Sequence, residues 1–438
     1  MIIKNTLAAL PGKNDFVKCD ILIKNGKIAK IGNNLAGSKI LDVKGKLVFP
    51  GVIDPHVHLN DPGFTEREDF YTGTCAAAAG GVTTIIDMPC TSLPPVTTLQ
   101  NLHTKLKTIE SKAIIDFALY GGISGESFND RETNIAELSE FVPGFKTYLI
   151  SGMESFRSLD HFQLEQVLKT AKKYNRPILV HAEDVSYIQS AQKAGFADSV
   201  MGYYQTRPEI AEMLAVKTAV TLAESVGADL HVVHVSSAAA AQVIASSAVT
   251  GETAPHYLNF DLNDFQKMGT PLKVTPPVKK AGNREKLWQF IENGDLDFIA
   301  TDHAPAPAAM KNTSILQAYS GIPGLETSFT YLYNYGFLKK KIGLARLLEI
   351  ISFKAAQKYR LKDKGAISVG NDADLIIFDQ NKRWRVNGDN FYSKGKITPF
   401  QNEKFQGKIE KTLLRGKLIF DDKKGIIAKP GTGEFIKP

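Results

Sequence analysis

The sequence predicts an α/β protein: a (β/α)8 TIM-like barrel in the middle of the chain and a small β-sandwich built from both ends. Three observations carry this. Strand-like and helix-like segments alternate through residues 50–365, giving eight units, the pattern of a closed parallel barrel. Residues 1–49 and 366–438 read instead as strands and turns. The chain has 438 residues, enough for a barrel of about 250 residues and one further module. The economical arrangement joins 1–49 and 366–438 in one β-sandwich and inserts the barrel, 50–365, between them.

At the N-terminal end, Asp20 to Gly32 reads as two short strands around Asn25-Gly26, a strong hairpin signal. The stretch from Val48 to Leu59 is a short apolar run bounded by Pro50-Gly51 and by Asn60-Asp61-Pro62-Gly63, suited to a strand buried on both faces. It opens the barrel. The following strands are Val82–Met88, Ile114–Tyr120, Gly144–Ile150, Pro177–His181, Leu230–Val235, Gly251–His256 and Leu296–Asp302. Helical stretches separate them, for example Leu99 to Ser111, Phe162 to Tyr174 and Glu209 to Val226. At the C-terminal end, Ala373–Asp379 and Lys411–Phe420 are strand-like, the second with a turn at Arg415-Gly416.

Composition excludes several classes. Hydrophobic residues make up 43% and charged residues 23%, which argues against disorder. The formal net charge of +7 is scattered, so a solvated surface is favoured over a nucleic-acid site, although a modest positive field would attract small anions. Cys19, Cys75 and Cys90 form no CxxC pattern, which speaks against a disulfide framework and for a reducing compartment. No secretory signal and no apolar run near 20 residues is present, so a cytoplasmic protein away from membranes is expected.

Active sites of such barrels lie at the C-terminal ends of the strands. Polar residues collect there. His56 and His58 end the first strand, on one face of it because strand side chains alternate. Alone they suit a divalent metal or a pair of satisfied core histidines. His181 ends the fifth strand, His234 the sixth and Asp302 the eighth. Four histidines and an aspartate at one barrel mouth favour a metal site over packing. Lys146 sits inside the apolar fourth strand between Phe145 and Tyr148. A buried ammonium beside metal cations is costly. Two readings stand from position alone: a lysine carboxylated by carbon dioxide, or one that snorkels to the surface.

The runs Pro50-Gly51-Val52-Ile53-Asp54-Pro55-His56-Val57-His58, Gly144-Phe145-Lys146, Val180-His181-Ala182-Glu183, His231-Val232-Val233-His234-Val235-Ser236-Ser237, Glu252-Thr253-Ala254-Pro255-His256-Tyr257-Leu258 and Ala300-Thr301-Asp302-His303-Ala304-Pro305 together resemble the amidohydrolase superfamily. Within it they are similar to the cyclic amidohydrolases: dihydroorotases, allantoinases and hydantoinases (dihydropyrimidinases). The resemblance runs nearly end to end. It implies two divalent metal ions per chain, zinc by preference, one held by His56, His58 and Asp302 and the other by His181 and His234. Lys146, as N6-carboxylysine, would bridge them. It also implies hydrolysis of a ring C–N amide bond by a water activated between the metals, with Asp302 as general base and then acid. The partner is then a small cyclic ureide, with no nucleic acid or membrane, and the chain a homo-oligomer, dimer or tetramer.

Three substrate positions follow from the same resemblance: Asn60, Cys90 and Thr275. Dihydroorotases typically carry Arg, Asn and Asn there, gripping a carboxylate. The departures favour an allantoin-like ring by a narrow margin, as do Ser92-Leu93-Pro94-Pro95-Val96-Thr97-Thr98 and Ala306-Pro307-Ala308-Ala309-Met310-Lys311. Thr301-Asp302-His303-Ala304-Pro305 and Ser393-Lys394-Gly395-Lys396-Ile397-Thr398-Pro399-Phe400 lean towards dihydroorotase, the alternative. Hydantoinase activity and a non-catalytic relative stand behind it. A deaminase would generally lack the strand lysine. Of the other histidines, His103 and His161 read as surface residues, His231 as structural, and His256 and His303 as supports near the mouth.

Overall fold

The computed structural model describes residues 1–438. Eight strand positions run in sequence order around a barrel: Val52–Val57, Val82–Asp87, Asp116–Leu119 continued by Gly121–Gly122, Phe145–Tyr148, Ile178–His181, Leu230–Val232, Thr250–Thr253 and Phe298–Ile299. Neighbours pair in parallel. The third strand is divided at Tyr120, its first half pairing with the second strand and its last two residues with the fourth. Val57 bridges His303 in parallel, and the His58 N–H donates to the His303 carbonyl at 2.8 Å, which closes the ring. Nearly every residue of these strands is buried. That is why they read as unbroken apolar runs and not as alternating ones.

The helices lie close to their expected spans. Leu99–Ile109 begins where the Thr98 side chain accepts from the Asn101 N–H. His161–Lys173 starts with a capping box between Asp160 and Gln163. Glu209–Val226 stops at Gly227, whose φ of 62° takes the left-handed conformation a helix end favours.

The expected opening strand is two strands. Leu47–Pro50 belongs to the terminal sheet and Val52–Val57 to the barrel. Gly51 makes the passage: its N–H donates to the Asp374 carbonyl at 2.8 Å, and a Cβ there would lie 2.1 Å from Thr83 Oγ1. No other residue fits so close an approach.

The two chain ends do meet, as one nine-stranded sheet rather than two hydrogen-bonded layers. Leu47–Pro50 decides this, because it uses both of its edges. Leu47 and Val48 pair with Leu7 and Ala8 on one side, and Leu47–Pro50 pairs with Leu375–Phe378 on the other. Both predicted hairpin turns are present, with positive φ at Asn25 (51°) and Gly26 (80°) and at Arg415 (45°) and Gly416 (69°). A separate apolar core, including Ile3, Ile21, Val48, Leu375 and Leu413, packs on this sheet. Buried Lys364 joins sheet and barrel, donating to Asp116 at 2.6 Å and Asp374 at 2.7 Å. No helix is long and apolar enough to cross a membrane.

Candidate metal centre and substrate cavity

His56 lies on the first barrel strand and His58 one residue past it, both turned to the same side, with ring centroids 5.3 Å apart. Asp302 comes three residues after the eighth strand. Its Oδ1 lies 3.3 Å from Nε2 of His56 and 3.3 Å from Nε2 of His58. A donor atom from each of these three lies within 4.8 Å of the others. His181 ends the fifth strand and His234 follows the sixth. Nδ1 of His181 is 2.9 Å from Nε2 of His234, and the His234 ring lies 5.4 Å from that of His56. The two groups therefore adjoin at the barrel mouth.

Backbone strain helps aim them. His234 has φ 41° and Asp302 φ 49°, left-handed values that non-glycine residues rarely adopt and that concentrate at functional sites. Two carboxylates and one hydroxyl fix the outer ring nitrogens of His56, His58 and His181. Nδ1 of His56 faces Glu252 on the seventh strand, whose other oxygen lies 3.3 Å from His231 Nε2. Nδ1 of His58 faces Thr91 at 3.2 Å, and Nε2 of His181 faces Glu183 at 3.0 Å. For His56 and His58 this leaves Nε2 turned inward, towards Asp302.

Lys146 is fully buried on the fourth strand, and its Nζ has no hydrogen-bond partner. It lies 4.8 Å from the Tyr148 ring, so it does not snorkel. Burial pulls its ammonium down to about 8. His234 Nδ1 is likewise buried without a partner. Four imidazoles, a carboxylate and a partnerless amine suit divalent cations, and the residues present fit such a centre.

These donors floor a cavity of about 620 Å³, which His56, His58, His181, His234 and Asp302 all line. Of the three expected substrate residues, only Thr275 lines it, with Oγ1 2.5 Å from the Tyr203 hydroxyl. Asn60 is fully buried, its carboxamide donating to the His58 carbonyl at 2.9 Å. Cys90 is fully buried, its Sγ 3.1 Å from the Tyr148 hydroxyl. Neither is among the lining residues.

The family model described as the amidohydrolase family matches residues 47–419. The chain belongs to this amidohydrolase family. It is 34% identical to an allantoinase of Deinococcus radiodurans, over 96% of this chain and 95% of the relative, and 35% identical to an allantoinase of Solibacter usitatus, over 96% and 94%. Among solved structures it is similar to an L-hydantoinase (dihydropyrimidinase) from Arthrobacter aurescens, with TM-score 0.93 and 32% identity covering 100% and 99% of the two chains. A dihydropyrimidinase from Brevibacillus agri gives TM-score 0.90 at 28% identity, covering 99% and 97%.

Several residues of this amidohydrolase's site escaped the sequence reading. Glu252 had a signal, as a lone carboxylate inside a short buried strand. Arg67 and Lys273, which line the cavity, had none, since each sits in a loop without periodicity. His231 is structural as expected: fully buried, stacked on Phe298 at 5.0 Å, with Nδ1 2.9 Å from Thr250 Oγ1. His103 and His161 are exposed. His303 supports the mouth: Nδ1 accepts the Gly324 N–H at 3.1 Å, and Nε2 lies 3.4 Å from Glu68.

Proposed function

We propose that this amidohydrolase hydrolyses the amide bond of a cyclic ureide, with an allantoin-type ring favoured. The observation that carries it is the convergence of His56, His58, His181, His234 and Asp302 on one cavity, with a buried, partnerless Lys146 on the fourth strand, which pairs with the strand that His181 ends. The allantoinase relatives support the ring. The hydantoinase structures favour a second reading, a hydantoin or dihydropyrimidine, in which the same bond type opens.

His56, His58 and Asp302 would hold one divalent cation, and His181 with His234 a second. Lys146 would join them after its neutral amine adds to carbon dioxide, forming an N–C bond and releasing one proton to give the carboxylate. Zinc suits these nitrogen and oxygen donors. When bound, two such ions polarise a carbonyl and lower the pKa of a water towards neutrality. Asp302 takes the proton of the attacking water and returns it to the leaving ring nitrogen. Glu252, Thr91 and Glu183 keep the imidazoles in the orientation this needs. Thr275, held by Tyr203, offers a hydroxyl to the ring.

The test is ring opening of allantoin, dihydroorotate, hydantoin and dihydrouracil by one zinc-loaded preparation. Turnover of allantoin above the others is expected. No turnover of any of them would overturn the reading.

A further inference from the structure

The loops that follow His181 and His234 are both held by the first turn of one helix, Glu209–Val226. The Ala211 carbonyl accepts the Asp184 N–H at 2.9 Å, three residues beyond His181. The next residue, Glu212, grips the other loop. One of its carboxylate oxygens accepts the Ser236 N–H at 2.7 Å and the other the Ser236 hydroxyl at 2.6 Å, two residues beyond His234. Adjacent residues of one helical turn therefore set the spacing between the two histidines.

Glu212 is 2% exposed and does not line the cavity. Buried Lys279 faces it, with Nζ 4.0 Å from the carboxylate. Lys279 also donates to the Arg207 carbonyl at 3.0 Å. The Arg207 guanidinium in turn donates to Glu183, the carboxylate 3.0 Å from Nε2 of His181. The pair thus reaches both arms: Glu212 acts on His234 through Ser236, and Lys279 acts on His181 through Arg207 and Glu183. Two buried charges are costly to desolvate, and apolar side chains of the same volume would often fill the place at less cost. Their presence calls for a use beyond packing.

His234 shows what that use is. Its φ of 41° is strained, and such a conformation persists only where the surroundings over-determine it. The residues that follow are tied on every side. The Val235 N–H donates to the Glu252 carbonyl at 2.7 Å. Glu212 takes both Ser236 donors, while the Ser236 carbonyl accepts from the Asn283 carboxamide at 2.9 Å. The first donor group hangs on other residues: Glu252 at His56, Thr91 at His58, and the His303 carbonyl on the His58 N–H.

We propose that Glu212, with Lys279, is a positioning residue for the second metal site, fixing the His181–His234 spacing so that the affinity of that site alone depends on it. This rests on the two-cation centre of the ring-opening reading above. Metal-free protein is titrated with zinc against a chromophoric chelator, for the wild type, Glu212→Ala and a reference, His234→Ala, whose missing step identifies the second site. Glu212→Ala is expected to weaken that step by about 10–100-fold. The other step should move by less than about threefold, as for an independent site. Lys279→Met should shift the same step in the same direction. Urea midpoints taken alongside keep each titration within the folded range. Should Glu212→Ala not fold, Ser236→Ala, which removes only the hydroxyl, should weaken the second step by at least about threefold. Equal weakening of both steps, or an unchanged second step, would overturn the proposal. If the split between the steps holds but the wild type opens none of the test rings, the positioning role stands and the ring-opening reading fails.

Discussion

Nε2 of His181 lies 3.0 Å from a carboxylate oxygen of Glu183, two residues further along the chain, and that contact turns Nδ1 towards His234. The same carboxylate accepts from Arg207. Glu183→Gln keeps the shape but removes the charge, leaving a half-buried guanidinium unpaired and the His181 tautomer undefined. Metal affinity or turnover should fall by about 10–100-fold, the usual cost of losing such an outer contact. Metal titration against a chromophoric chelator, alongside kcat, checks this.

Lys146→Ala should lose the second metal and nearly all activity, with partial rescue by short carboxylic acids that fit the vacated space. In the proposed centre it is the carboxylated side chain at that position that would join the two donor groups. Elemental analysis of the purified variant would count against the bridge if metal content matched the wild type.

Asp302→Asn should retain some metal, because the amide oxygen keeps the ligand position. Turnover should drop by at least about 100-fold, since the proposed proton acceptor would be gone. A drop within about tenfold, about 1.4 kcal/mol of barrier, would assign the proton transfer to another residue.

Lys364 holds sheet and barrel together through Asp116, Asp374 and, at 3.0 Å, Asp372. Its side chain is 1% exposed. Lys364→Met would leave the carboxylates of Asp116 and Asp374 buried without this partner. A loss of about 3–5 kcal/mol is expected, read as a lower urea midpoint with an unchanged slope. Arg415 also donates to Asp116 and limits the damage at that end.

Burial pushes the Glu326 carboxyl up to about 8, with Glu68 adding to the rise; the Ser393 and Tyr392 N–H groups and Lys396 oppose it. The folded protein thus keeps a proton that the unfolded chain releases near its ordinary value of 4.5. The stabilising contribution is full below that value and is lost as pH rises through about 8. Glu326→Gln should flatten the decline in Tm over that window. A wild-type and variant Tm profile that run parallel would refute the assignment.

Much of the architecture is legible in the chain because its causes are local. A strand buried on both faces is mostly apolar, so most of the barrel strands announce themselves as short apolar runs. Asn25-Gly26 and Arg415-Gly416 mark hairpins because the turn needs two positive φ values in succession. The division of the Val48–Leu59 run is not visible in its apolar residues. Gly51 breaks it because Thr83 crowds that point and the Asp374 carbonyl takes its N–H, and both arrive from elsewhere in the chain.

The same division holds at the site. His56 and His58 determine their own geometry, because residues two apart on a strand share a face. Metal chemistry accepts few residue types, so His181, His234 and Asp302 could be named as candidates from identity and strand position, whereas Lys146 needed the family resemblance as well. Asn60, Cys90, Arg67 and Lys273 obey no such constraint. Each lies outside the regular strands, where side-chain direction follows from individual φ and ψ values and from what the loop packs against. Asn60 turns back on the His58 carbonyl at φ 58°, while Arg67 is drawn between Phe64 and Tyr319, the latter 252 residues further along the sequence. The charge facing the substrate was therefore decided by tertiary packing, because contacts that distant leave no period in the sequence to read.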